Sequence, residues 1–137
     1  MLITRRVEFS AAHVCRRPEW SDEANRELYG PAANPHGHGH NFVVEVTLEG
    51  EPDPATGMVL DLKRLKEILH REIVEPFDHR FLNAEVPPFD RVVPTAENLA
   101  IEIWRRVKPY FNGAVRLHAV RVYETDDFWA ECFGEEG

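Results

Sequence analysis

The sequence predicts an α+β domain, with two helices laid on one face of an antiparallel sheet. Three observations carry this. Residues 40–48 alternate apolar and polar side chains with the two-residue period of a strand, and weaker alternations recur near 3–9 and 115–133. Two longer segments, beginning near 62 and 95, place apolar residues at helical spacing behind cap-forming side chains. The order along the chain is β, β, α, α, β, β, with no internal repeat, linker or low-complexity tract. A chain of 137 residues then makes one domain, 1–137.

Ile3 to Phe9 reads as the first strand, with Ile3, Val7 and Phe9 on one face and Arg5 interrupting it. Ser21 to Tyr29 reads as a short helix. Ser21 is its N-cap, Asp22 and Glu23 favour its first turn, and Gly30-Pro31 ends it. Asn34-Pro35-His36-Gly37 is turn chemistry. His40 to Leu48 is the second strand, with Phe42, Val44, Val46 and Leu48 opposite Asn41, Val43, Glu45 and Thr47. A turn-rich connection over 49–57 leads to a short extended stretch, Met58 to Leu60. Asp61 caps a helix from Leu62 to about Val74. Leu62, Leu65, Ile68, Leu69 and Ile73 form its stripe and Pro76 closes it. Thr95 caps the next helix, which runs to about Tyr110 with Leu99, Ile103, Trp104, Val107 and Phe111 on one side. Asn112-Gly113 stops it. Val115 to Tyr123, a turn at Asp126-Asp127, and Phe128 to Phe133 form the closing hairpin.

The net charge of −8 argues against nucleic-acid binding, which needs a basic face. There is no apolar run of 18 residues, so no membrane span is expected. The N-terminus lacks a signal-peptide apolar stretch, so the expected location is cytoplasmic. The two cysteines, Cys15 and Cys132, form neither a disulfide framework nor a zinc-ribbon pair and read as reduced, partly buried thiols.

The chemistry concentrates in histidines. The segment HGHGHNF supplies His36, His38 and His40. In an extended chain, residues two apart point to the same side about 7 Å apart. Two imidazoles can then converge on one metal, and the intervening glycines remove bulk beside the ion. His13, at the end of the first strand, is the candidate third ligand. Three histidines leave a fourth position open, as in catalytic zinc sites. Spacing alone does not choose between His36 and His40 as the partner of His38.

FSAAH at 9–13, LYGPAANPHGHGHNF at 28–42, FDHRFLN at 77–83, PTAENLAIEIW at 94–104 and VRVYETD at 120–126 resemble the 6-pyruvoyltetrahydropterin synthase family, which includes the 6-carboxytetrahydropterin synthases. These motifs run in family order over nearly the whole chain. The resemblance implies the tunnelling fold: a ββααββ subunit whose sheets join into barrel-like trimers that pair as hexamers, with active sites at subunit interfaces. It places the Zn²⁺ ligands on His13, His38 and His40, with His36 outside the set. It places the pterin-gripping glutamate on Glu124, and a carboxylate suits that task by accepting two parallel N–H bonds. Thr95 and Glu97 match a T-x-E-N signature that borders the pterin pocket, although capping alone also accounts for both. Asp78 and His79 match a pair that moves protons with a cysteine during catalysis.

The matching cysteine position is occupied by Ala32, which has no proton to exchange. In shorter-loop members the cysteine lies four before the first zinc histidine, which here is Asn34. Cys15, two residues after His13, is a possible replacement thiol. The resemblance implies 7,8-dihydroneopterin triphosphate as substrate and a 6-pyruvoyl or 6-carboxy product, hence a zinc-dependent lyase. Arg16 and Arg17 are candidate partners for the triphosphate. The alternative is a pterin-binding member that is inactive or has altered chemistry for want of the thiol.

Overall fold

The computed structural model describes residues 1–134, and the last three residues of the predicted domain lie outside them. Five strands form one sheet: β1 (Leu2–His13), β2 (His38–Glu49), β3 (Arg80–Phe81), β4 (Arg116–Thr125) and β5 (Phe128–Cys132), in the order β3-β1-β2-β4-β5. Three helices of two turns or more accompany it: α1 (Asp22–Tyr29), α2 (Leu62–Leu69) and α3 (Ala96–Val107). No helix among the described residues is long and apolar enough to cross a membrane.

The alternation in β2 is the backbone of the core. Phe42, Val44, Val46 and Leu48 are all fully buried, and their neighbours are not. They join Phe9 of β1, Val120 and Val122 of β4, and the stripes of α2 and α3 in one apolar cluster, so both helices cover the same face of the sheet. A bulge opposite Thr47–Leu48 turns Leu117 inward beside Val120. The other face carries a cross-strand row, Arg6, Glu45, Arg121 and Glu131, of alternating sign. Arg6 pairs with Glu45 at 3.0 Å and Arg121 with Glu131 at 3.2 Å.

The predicted caps form. Ser21 accepts from the Ala24 N–H, Asp61 from Lys63 and Thr95 from Asn98. Such caps contribute about 1 kcal/mol each. Beside small shifts at strand ends, four features differ from the sequence reading. First, β1 reaches His13 rather than Phe9, because β2 pairs with it residue for residue to His13↔His38. Second, Pro76 does not close the second helix. The chain leaves α2 through a π turn (His70–Val74) and continues helically over Glu75–Phe77. The wider i→i+5 turn opens the ladder just ahead of the proline ring. Leu62, assigned to the apolar stripe, is 55% exposed in the first turn. Third, Met58–Leu60 forms no strand, and Val59 and Leu60 make a bend. Fourth, the sheet is not wholly antiparallel, since β3 pairs with β1 in parallel through Ala11↔Arg80 and Ala12↔Phe81. Two residues are too few to leave an alternation in the sequence.

Candidate metal centre and active site

The last residue of β1 and the first residues of β2 build the centre. His13 and His38 are paired partners across the two strands, and His40 faces Ala11 one step further in. Strand alternation puts all three imidazoles on the helix-covered face with Phe42. The ring centroids lie 4.6 Å (His13–His38), 5.1 Å (His13–His40) and 5.0 Å (His38–His40) apart. One nitrogen from each ring falls within 4.8 Å of the other two.

His13 is fully buried, and its Nδ1–H donates to the Pro94 carbonyl at 2.8 Å, which leaves Nε2 with a free lone pair. Three buried ring nitrogens, His13 Nε2, His38 Nδ1 and His40 Nε2, have no hydrogen-bond partner. Buried polar atoms are almost always satisfied, so three convergent orphans fit a cation in their midst. Burial, then the neighbouring His38 and His40, push the His13 imidazole down to about 4, against the pull of the Pro94 carbonyl. Burial likewise lowers His40, with Glu124 opposing and His38 adding to the fall. Neutral imidazole is the ligating form. The donor set of three nitrogens suits zinc among the common divalent ions.

The glycines serve the geometry differently from the sequence reading. Gly39 points away from the ring cluster by strand alternation, and a Cβ there would sit 3.1 Å from the Ala11 carbonyl oxygen. It allows β1 and β2 to approach rather than clearing space at an ion. Gly37 has φ +80 and turns the chain into β2. His36 is exposed, its N–H bound to Asn34 Oδ1, and it takes no part in the cluster.

Glu124, on β4, brings Oε1 to 3.8 Å from His13 Nε2, beside the three-histidine cluster. Thr95 caps α3, and the residue before it, Pro94, is the one that holds His13. Glu97 is exposed in the first turn of α3 and acts electrostatically on Cys15, as Glu124 does. Cys15 is buried, and its N–H donates to the Ala32 carbonyl at 2.9 Å, so the thiol-bearing residue and the alanine are neighbours. Burial, then Glu124 and Glu97, raise the thiol to about 11. Cys15 therefore remains a thiol at neutral pH and supplies no ready base.

Asp78 and His79 stand elsewhere. The His79 side chain is 82% exposed, with Nδ1 2.9 Å from Asp78 Oδ2. Its backbone has φ +59, a left-handed conformation rare for a residue with a Cβ and concentrated at functional positions. The Ser10 N–H, then His79, hold the Asp78 carboxyl below its usual range. Both residues grip Ser10, and His79 opens on a cleft of about 580 Å³ shared with Arg80, Asn41 and His40. Among the described residues no hydrogen bond or ion pair joins the pair to the three-histidine cluster. Arg16 and Arg17 bind carboxylates of their own loop, Asp22 at 2.8 Å and Glu19 at 2.9 Å.

Fold and centre together define a small α+β protein whose sheet carries a partly buried three-histidine site, fit for a metal and flanked by a glutamate. The sequence profile of the 6-pyruvoyl tetrahydropterin synthase family matches residues 2–135, and the chain belongs to that family. Human 6-pyruvoyl tetrahydrobiopterin synthase is 46% identical over 125 residues, covering 91% of this chain and 86% of the human protein. A dihydroneopterin monophosphate aldolase of Pyrococcus furiosus is 33% identical over 129 residues, covering 94% of each. The solved 6-pyruvoyl tetrahydropterin synthase of Caenorhabditis elegans superposes with a TM-score of 0.91 at 37% identity, covering 98% of this chain and 96% of that one.

Proposed function

We propose that this single-domain chain is a zinc-dependent lyase of pterin synthesis that acts on 7,8-dihydroneopterin triphosphate. The observation that carries the proposal is the trio of buried, partnerless imidazole nitrogens beside Glu124. His13, His38 and His40 would hold Zn²⁺, which supplies Lewis acidity to the side-chain hydroxyls of the substrate. Glu124 accepts the paired N–H donors of the pterin ring edge, and a buried bond of this kind rejects rings without them. Thr95 and Glu97 border the same pocket from the start of α3.

Asp78 accepts the His79 Nδ1–H and fixes the ring so that Nε2 faces outward to take or return a proton. The exposure of this pair supports a role in a neighbouring subunit's site. The reading includes a homo-oligomer, trimer or hexamer, with the sheets joined edge to edge. The β1 edge before Ala11 and the outer edge of β5 support it, since neither has a strand beside it among the described residues. The pterin is a small-molecule partner, and neither nucleic acid nor membrane enters the reading; a cytoplasmic location goes with it.

Ala32 and the protonated Cys15 favour chemistry without a thiolate. The test is mass-spectrometric product analysis after incubation with 7,8-dihydroneopterin triphosphate, with and without a chelator, for the parent and for Ala32→Cys. The expected result is zinc-dependent conversion. Conversion only by Ala32→Cys would make the parent a pterin-binding protein. Unchanged substrate with both would overturn the activity, and absence of pterin binding would overturn the site.

A further inference from the structure

We infer that Asn83 is a positioning residue for the metal centre, holding the end of β1 so that His13 stands in register with His38 and His40. The inference rests on the reading of the three histidines as a metal site. His13 is the last residue of β1, and its pairing with His38 is the last pair between β1 and β2. Val14, immediately after it, is 3% exposed and has no strand on either side. Its backbone N–H and C=O would be buried orphans, which costs on the order of a lost hydrogen bond each.

The carboxamide of Asn83 meets both needs. The Val14 N–H donates to Asn83 Oδ1 at 2.8 Å, and Asn83 Nδ2 donates to the Val14 carbonyl at 2.9 Å. One side chain thus reproduces the two-bond pairing that a strand residue would give. The same segment also grips β1 four residues earlier, at Ser10. There the Ser10 N–H donates to Asp78 Oδ1 at 2.9 Å, and the His79 N–H donates to the Ser10 carbonyl. Between these grips, Arg80 and Phe81 pair with Ala11 and Ala12. Residues 78–83 therefore clasp β1 from Ser10 to Val14, and Asn83 is the end of the clasp next to His13.

Two further contacts make this position matter for the centre. The His13 ring is held by the Pro94 carbonyl, and Asn83 holds the backbone that immediately follows it. Beyond Val14, the Cys15 N–H holds the Ala32 carbonyl, so the same clamp carries the turn at Gly30–Ala33 toward the site. Groups that orient a ligand in this indirect way commonly change metal affinity 10–100-fold when replaced.

The experiment compares the full-length parent with Asn83→Asp, which keeps the shape and loses the donor, and Asn83→Ser, which avoids a new charge. Asn25→Ser is the control. Asn25 is more deeply buried than the half-buried Asn83 and staples the 17–21 loop with four hydrogen bonds, none of them to His13 or Val14. Metal-free proteins are titrated with Zn²⁺ against a chromophoric chelator, and with Co²⁺ while its visible absorption is recorded. The expected result is roughly 10–100-fold weaker zinc binding and an altered cobalt spectrum in whichever Asn83 variants fold, with parent-like values for Asn25→Ser despite a lower melting temperature. A folded Asn83 variant with parental affinity and spectrum overturns the inference, as does an equal change in Asn25→Ser. A parent that binds neither ion overturns the metal-site reading beneath it.

Discussion

The molecule carries two groups of histidines built on opposite terms. His13 is buried and His38 and His40 are half-buried beside it, each with a buried ring nitrogen left without a partner. His79 is 82% exposed on a left-handed backbone, with one nitrogen already committed to Asp78. The first group converges within one chain and could hold a metal ion. The second is held rigidly, through two bonds to Ser10, yet faces outward. The metal and proton-transfer roles proposed for these two groups join in one reaction if a second surface brings an outward-facing His79 to a histidine cluster. The assembly proposed above would do that.

The largest expected effect falls on the buried group. His38→Ala should remove tight zinc binding, since two nitrogens fall short of the three protein ligands a catalytic zinc site uses. Dialysis and metal analysis check this, and a variant that still holds one zinc per chain would break the contrast. His79→Ala should leave zinc content unchanged and slow turnover about 10²- to 10⁴-fold, as loss of a general acid–base group does. Steady-state kinetics beside metal analysis separates the two. Asp78→Asn should cost less, because the ring remains and loses its orientation and charge partner.

The buried group also predicts a pH dependence in the metal-free protein. The His13 imidazole titrates near 4 when folded against an ordinary value of 6.5, so the unfolded chain binds the extra proton between those values. Stability therefore rises with pH over that window and falls on acidification, by on the order of 3 kcal/mol for the full shift. Urea melts at pH 7 and pH 4.5 measure it, with His13→Gln expected to flatten the difference. The smallest effect expected is that of Arg17→Ala, whose solvent-exposed pair with Glu19 should contribute under about 1 kcal/mol.

How much of this was legible in the sequence follows the same division. Apolar alternation fixed β2 because every second side chain is buried, and cap residues located the three helices. The extension of β1 to His13 was not legible, because Ala11, Ala12 and Gly39 carry little apolar signal and the pairing comes from the partner strand. The π turn ahead of Pro76 and the two-residue β3 depend on tertiary packing that no short window records. Spacing offered His36, His38 and His40 alike. The structure separates them by facing, since His36 sits in an exposed turn and the other two point into the core face. The roles of Pro94 and Asn83 were hidden. A backbone carbonyl has no sequence signature, and nothing in FDHRFLN singles out its asparagine before its two bonds to Val14 are seen.

The most direct test of the account mixes the two kinds of damage. His13→Ala loses the metal ligand and keeps the exposed pair; His79→Ala does the reverse. Each is assayed for conversion of 7,8-dihydroneopterin triphosphate alone, then after unfolding and refolding together with zinc. The account predicts two nearly inactive variants and a clear recovery of activity in the mixture, from sites that draw the metal centre from one subunit and His79 from another. A mixture no more active than its components would contradict it.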